Sequence, residues 1–462
     1  MRLYFKVLGL AVLLTANACL LPAVSAQRGG KKPNLIFILA DDLGYGDLGS
    51  YGQQKIRTPH LDQMAKEGMR FTQFYAGSPV CAPSRAVLMT GKHGGHAFIR
   101  DNKEVRPEGQ WPIPASEVTI AEILKARGYA TGAFGKWGLG FVGSEGDPNK
   151  QGFDLFYGYN CQREAHNFYP DHLWRNDKRV TLEGNDRGLT GKHYSHDLIE
   201  TETLQFIRDN RDKPFFAYVP FTIPHLALQV PEDSLAEYVG KWDDPPYDGK
   251  NGYLQHPHPR AAYAAMVTRM DRSVGRIFAL LKELKLDDNT LVIFTTDNGY
   301  FHAEHGLADK WYPHQESIRV PLIVRDPRMA VEKRGRTNDA FTLNVDLAPT
   351  ILAASGIAAP PRMQGKDFAP LYLAAEKPAW RTEFFYEHAI IKNKDFIPAS
   401  QALVRKDWKY FLWPDFGQEQ LFHLAADPLE EKDVVKDPAN APRLEEMRAR
   451  FAELKAAAVS EP

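Results

Sequence analysis

Asn34-Leu35-Ile36-Phe37-Ile38-Leu39-Ala40 is an unbroken apolar run that stops at Asp41-Asp42, and this stretch decides the class of fold. A continuous, β-rich apolar segment describes a strand covered on both faces, as in a parallel sheet sandwiched by helices. The pattern recurs at Thr290-Leu291-Val292-Ile293-Phe294-Thr295-Thr296, which ends in Asp297-Asn298-Gly299. Ligands of open α/β sheets gather outside the carboxyl ends of the strands, so two acidic strand ends belong where metals and phosphate-like groups bind. If the two strands are neighbours, Asp41, Asp42, Asp297 and Asn298 bring three carboxylates and one amide oxygen together. That set is repulsive without a cation, and all-oxygen donors select Ca²⁺ or Mg²⁺ over zinc. For a single Asp the plainer reading is a helix cap or a solvated strand end.

Outward from these strands, residues 58–69 carry Leu61, Met64 and Ala65 at helical spacing and close at Gly68 as a helix C-cap. Ser116 and Glu117 cap a helix with Ile120, Ile123 and Leu124, followed by a strand over 129–134 that delivers Gly135-Lys136-Trp137-Gly138. Residues 215–221 form a further strand, with His225 just beyond it. Residues 231–259, rich in Pro, Gly and Asp, form a surface excursion. A long amphipathic helix over 263–284 places Met266, Met270, Val274, Ile277 and Leu281 on one core-facing stripe. A strand over 318–324 and a helix over 346–354 follow. Beyond about residue 375 the strands shorten, and a last helix carries Leu444, Met447, Phe451 and Leu454 on one face. The predicted fold is α/β: a large mixed, mostly parallel sheet sandwiched by helices over 27–375, and a small C-terminal antiparallel-sheet plus helix domain over 376–462.

Cys81-Ala82-Pro83-Ser84-Arg85-Ala86-Val87-Leu88-Met89-Thr90-Gly91 sets a cysteine beside a turn proline and a fixed positive charge. It reads as a loop entering a helix, since Pro83 suits the first turn and a helix N-terminus attracts anions, with Arg85 placed to hold a tetrahedral one. Lys136, His225 and Lys310 add positive charge or donors for a substrate bearing an anionic tetrahedral group. Taken singly, each reads as a surface lysine or a structural histidine. His302 and His305 would suit zinc on a helix, but Gly299 and Gly306 predict a loop. Residues 153–174, crowded with aromatic residues, His and Asn around Arg163, suit stacking on sugar rings, with core packing the plainer alternative. Arg100-Asp101-Asn102 is a polar cluster that either faces substrate or lies in an exposed loop.

With 57 Lys and Arg against 58 Asp and Glu, nothing in the charge balance favours nucleic acid or an anionic membrane as partner. Residues 1–26 read as a secretory signal: Arg2 and Lys6 precede an apolar run, and Val24-Ser25-Ala26 offers a cleavage site. The run is too short to span a bilayer and no later stretch is long and apolar enough. The expected location is periplasmic or extracellular. Past the signal only Cys81 and Cys161 remain, and a disulfide is a reasonable reading for Cys161 but a poor one for Cys81.

Cys81-x-Pro83-Ser84-Arg85-x-x-x-Met89-Thr90-Gly91 resembles the signature of the type I sulfatases, within the alkaline phosphatase superfamily. Asp41-Asp42, Gly135-Lys136-Trp137, Pro224-His225, Asp297-Asn298-Gly299 and Lys310 follow in that family's order, and Leu421-Phe422-His423-Leu424 with Asp427-Pro428 extends the likeness into the C-terminal region. The resemblance implies that a maturation enzyme oxidises Cys81 to formylglycine, whose hydrate attacks sulfur, releases the alcohol and then expels sulfate. It implies calcium, in preference to magnesium, on Asp41, Asp42, Asp297 and Asn298, with Cys81 at the metal. Arg85 would support the hydrate, Lys136 and Lys310 would hold sulfate oxygens, and His225 would protonate the leaving alcohol. Arg100 and Asp101 are candidates for sugar selection, and the implied substrate is a sulfated sugar or polysaccharide fragment. One departure stands out. The family commonly has histidine two places after the lysine, where this chain has Gly138; His93, His96, His302 and His305 are the replacements considered. The alternatives are hydrolysis of phosphate mono- or diesters, and non-catalytic binding of sulfated glycans.

Overall fold

The computed structural model describes residues 31–78, 80–249, 252–388 and 397–459; the signal segment 1–26 lies outside them. Its centre is a ten-stranded sheet. In chain order the strands are β1 (Asn34–Ala40), β2 (Met69–Phe71), β3 (Ala130–Lys136), β4 (Leu155–Tyr159), β5 (His172–Arg175), β6 (Lys178–Thr181), β7 (Phe215–Pro220), β8 (Thr290–Thr296), β9 (Leu322–Arg325) and β10 (Arg336–Asn338). Across the sheet they run β10-β2-β9-β8-β1-β7-β3-β4-β5-β6. β8, β1, β7, β3 and β4 form a parallel block, with antiparallel pairings on either side. The two acidic strands are therefore neighbours, in register with Ala40 opposite Thr296.

β1 is buried at every position, and its alternate side chains feed two cores. Ile36, Ile38 and Ala40 join the core under helices α1 (Pro59–Glu67), α4 (Ser195–Asp209) and α5 (Pro259–Glu283). Leu35, Phe37 and Leu39 join the opposite core under α2 (Cys81–Thr90), α3 (Ile120–Ala126) and α6 (Leu347–Ala354). The methionine stripe of α5 is fully buried, as its spacing predicts. A four-stranded antiparallel sheet, β11 (Glu383–His388), β12 (Ser400–Arg405), β13 (Lys409–Trp413) and β14 (Gln418–Phe422), follows. Phe384, Tyr386, Ala402 and Phe411 pack with Tyr75, Val87 and Phe341 of the main body, while Phe385, Leu403 and Leu421 cover Leu444, Met447 and Phe451 of α7 (Ala441–Val459).

Local readings need correction at five places. Gly68 ends α1 without a left-handed turn: its φ is −128°, and a Cβ there would lie 2.2 Å from the carbonyl oxygen of Val324 in β9, so close strand packing requires the glycine. The cap of α3 is Thr119 with Glu122, each bonding the other's backbone N–H, whereas Glu117 pairs with Lys92. The strand drawn over 129–134 runs on to Lys136, and that over 318–324 is a short helical turn, Gln315–Ile318, followed by β9. Phe153, Phe156, Tyr157, Tyr159, Phe168 and Tyr169 are core rather than a sugar platform, because β4 is covered on both faces.

Candidate active site

The carboxyl ends of the five parallel strands meet in one buried cluster. β8 delivers Asp297 and Asn298, β1 delivers Asp41 and Asp42, and β7 leads into the loop of His225. β3 ends in Lys136, and β4 runs into Asn160 and Gln162. Asp42 has a left-handed φ of 61°, a conformation that Asp tolerates better than most side chains. Cys81 is the first residue of α2, and α2 ends in a left-handed Gly91. Asn102 accepts from the Ala82 N–H at 2.9 Å, satisfying one of the free donors at that helix start.

Charges interlock here. Cys81 Sγ lies 3.7 Å from Asp41 Oδ1, and Lys136 Nζ donates to Asp41 Oδ2 at 2.7 Å. Lys310 Nζ reaches Asp42 Oδ2 at 2.5 Å, with His225 Nε2 at 3.2 Å from the same oxygen. Arg85 is fully buried; its Nε and Nη2 donate to Asp297 Oδ2 at 3.0 and 2.8 Å, and Nη1 bonds the Lys136 carbonyl. Arg85 therefore locks Asp297 to the end of β3. Burial drives the Asp42 carboxyl up to about 8, reinforced by Asp41 and Asp297 and opposed by Lys310. Asp297 is also raised, by burial and then by Asp41. For Asp41, burial is outweighed by Lys136, Arg85 and Lys310, and the carboxyl falls below its usual range. Burial pushes the Cys81 thiol up to about 12, so the unmodified side chain is a poor thiolate.

The cluster offers ligand atoms for a metal ion. Asp41, Asp42, Cys81 and His225 each offer a ligand atom, all within 4.8 Å of one another. Asn298 Oδ1 is buried and has no hydrogen-bond partner among the described residues, while its Nδ2 is held 2.5 Å from Asp42 Oδ1. A cation would satisfy that oxygen and the crowded carboxylates at once. Asp297 is the member most occupied by other partners. Its Oδ2 faces Arg85, and its Oδ1 accepts from the N–H groups of Asp42 and Asn298.

The remaining expected residues lie nearby or apart. Arg100 pairs with Glu387 of β11 at 2.6 Å, so it lies against the C-terminal sheet, and the negative charge of Asp101 acts on His388. His93 and His96 also face the C-terminal side, toward the Phe385 carbonyl and Gln364. His302 and His305 are exposed, and His305 has a φ of 56°, so no zinc-binding helix forms. Cys161 is a buried free thiol; no disulfide joins it to Cys81. Sequence reasoning missed His166, whose ring stacks on His225 at 4.0 Å and 17°, and Tyr253, whose hydroxyl meets His166 Nδ1 at 3.2 Å. It also missed Gln162, taken up below. A cleft of about 820 Å³ opens beside the cluster, walled by Trp242, Tyr247, Tyr263, Tyr300 and His302 and reaching Leu226, the residue after His225.

Carboxylates, lysines and a histidine at the carboxyl edge of such a sheet define a metal-assisted hydrolase of anionic esters, of the alkaline phosphatase superfamily. Residues 33–357 match the family described as Sulfatase, and residues 303–457 match the C-terminal region of N-sulphoglucosamine sulphohydrolase. The chain belongs to the sulfatase family and is a sulfuric ester hydrolase. It is 26% identical to N-acetylglucosamine-6-O-sulfatase of Bacteroides thetaiotaomicron, over 90% of this chain and 85% of that protein. It is 32% identical to human arylsulfatase A, over 80% of this chain and 73% of that one. A solved structure of a protein in complex with its substrate D-glucosamine-2-N,6-O-disulfate superposes with a TM-score of 0.79 at 23% identity, over 93% and 98% of the two chains. Family membership implies a metal ion and a formylglycine in general.

Proposed function

We propose that this chain removes sulfate from an O-sulfated carbohydrate, with Cys81 converted to formylglycine and calcium as the metal. The observation that carries the reading is the position of Cys81. It lies at the start of a helix, against Asp41, among three carboxylates, two lysines and Arg85, and its thiol is held protonated. Calcium on Asp41, Asp42, Asp297 and Asn298 would supply Lewis-acid stabilisation of developing negative charge. Formylglycine at position 81 would supply the nucleophilic hydroxyl.

The chain's own groups account for the rest. Lys136 and Lys310 hold sulfate oxygens by charge-assisted bonds, and Arg85 keeps Asp297 oriented. Burial, then Lys310, Lys136 and Arg85, holds the His225 imidazole well below its ordinary value. The charge of an arriving sulfate ester offsets those cations, so His225 takes up a proton with the substrate and returns it to the leaving oxygen. The aromatic cleft beyond Leu226 accommodates sugar rings, and the activity named for the Bacteroides relative, an N-acetylglucosamine-6-O-sulfatase, supports a sugar substrate. Residues 1–26 direct export to the periplasm or beyond. Among the described residues no helix is long and apolar enough to cross a membrane.

The test pairs mass spectrometry of the peptide containing Cys81, from protein made in its native host, with turnover of aryl sulfate against aryl phosphate. Formylglycine at position 81 and preference for sulfate are expected. An unmodified cysteine, a preference for phosphate, or binding of sulfated glycan without sulfate release would overturn the reading.

A further inference from the structure

Gly138 stands two residues past Lys136, about 6.6 Å along an extended chain, and has a φ of +77°. A Cβ at this position would lie 2.1 Å from Gln162 Nε2 and 3.1 Å from its Cδ. The Gln162 amide thus occupies the space in which any side chain at position 138 would begin. Gln162 is 5% exposed, and neither Nε2 nor Oε1 has a hydrogen-bond partner among the described residues. Leaving a buried amide unpaired is costly, and an orphan of this kind calls for an explanation.

Neighbouring contacts place this amide on the wall of the site. β3 and β4 pair with Lys136 opposite Tyr159, and the Gly138 N–H bonds the Asn160 carbonyl at 3.2 Å. Glu164–His166 then form a short 3-10 turn, with the Ala165 N–H bonding Cys161 O at 3.3 Å. Gln162 precedes that turn by two residues and His166 ends it. His166 stacks on His225, and its Nε2 is likewise buried and unpaired among the described residues. The Gln162 amide therefore lies beside the backbone just past the end of the Lys136 strand, in the loop that leads to His166 and, through it, to the ring of His225.

We propose that Gln162 is a substrate-contacting residue that donates a hydrogen bond from Nε2 to an oxygen of the sulfate group, in the place left by the side chain missing at Gly138. Its partner is the reacting sulfate itself, which is why the folded chain provides none. The proposal rests on the sulfatase reading above and deepens it.

The informative variants are Gln162→Met, which keeps the volume and removes an amide with no partner in the fold, and Gln162→Glu, which sets a carboxylate against the sulfate. Both are compared with wild type for kcat and KM on a small aryl sulfate, for inhibition by inorganic sulfate, and for thermal unfolding. Gln162→Met should melt no lower than wild type, lose roughly 10- to 100-fold in kcat/KM and bind inorganic sulfate more weakly. Gln162→Glu should lose more. A folded Gln162→Met with kcat/KM and sulfate inhibition within about twofold of wild type would overturn the proposal, as would a variant that fails to fold, because the amide would then be structural. Wild-type turnover decides the sulfatase reading independently, and the variant-to-wild-type ratio decides the role of Gln162.

Discussion

The two sides of the cleft are built on different electrostatic plans. At the ends of β1 and β8, Asp41 meets Lys136, Asp42 meets Lys310, and Asp297 meets Arg85, all out of contact with solvent or nearly so. Past Lys136, in the segments that follow β3 and β4, buried atoms of the neutral side chains Asn160, Gln162 and His166 go without partners among the described residues. Fixed opposite charges hold one another in place whether or not substrate is present. Unpaired amides and imidazoles carry a desolvation cost of about 1–3 kcal/mol each that an incoming polar ligand can recover. On the reading proposed above, the first side is a preorganised reaction centre and the second a recognition surface completed by what it binds.

Breaking the charged side should have the largest effect. Asp297→Ala removes a proposed metal donor and leaves the fully buried Arg85 without its main partner. We expect activity to fall by on the order of 10³-fold, with about 3–5 kcal/mol lost from unfolding stability, read by sulfate release and denaturant melts. Cys81→Ala should match that loss of activity yet leave the melt nearly unchanged, separating chemistry from scaffold. Next comes His225→Gln, expected to cost on the order of 10²- to 10⁴-fold for a sugar sulfate and markedly less for an aryl sulfate whose phenol leaves without protonation. Equal losses on both substrates would remove the proton-donor role. On the neutral side, His166→Ala takes away the ring that backs His225 and should lower kcat by roughly tenfold with KM little changed. The smallest effect belongs to the cleft. Trp242→Ala should raise KM for a sulfated oligosaccharide about two- to tenfold and leave the small aryl sulfate unaffected.

The two sides also differed in how far the sequence revealed them. Asp41-Asp42 and Asp297-Asn298 each follow an apolar run directly, so strand type and donor set are contiguous in the chain, and strand adjacency brings them together as expected. The Cys81 segment carries its helix start and its charge within a few residues. Gln162 and His166 carry no such local mark. Their place depends on the β3–β4 pairing and on one helical turn, and the available signal was indirect: a glycine where a side chain was expected. The 153–174 segment misled for a related reason, since aromatic composition does not say which face of β4 is covered. At α3 the Thr119–Glu122 capping box stood in the sequence, three residues past the cap first assigned.

The order of strands has a consequence for how the protein is made. β1 is the first strand in the chain but lies in the middle of the sheet, and its two neighbours, β7 and β8, come far later in sequence. Arg85 and Asp297, which pair within the buried cluster around Cys81, are 212 residues apart. At ordinary rates of synthesis that distance corresponds to roughly 10–40 s, during which the Cys81 segment exists as chain without β8 and its Asp297. Cys81 is 1% exposed once folding is finished. Late pairing of a central strand thus doubles as a timetable: on the formylglycine reading proposed above, an oxidising enzyme would have to reach position 81 before β8 arrives, and faster folding would reduce the fraction of molecules that become active.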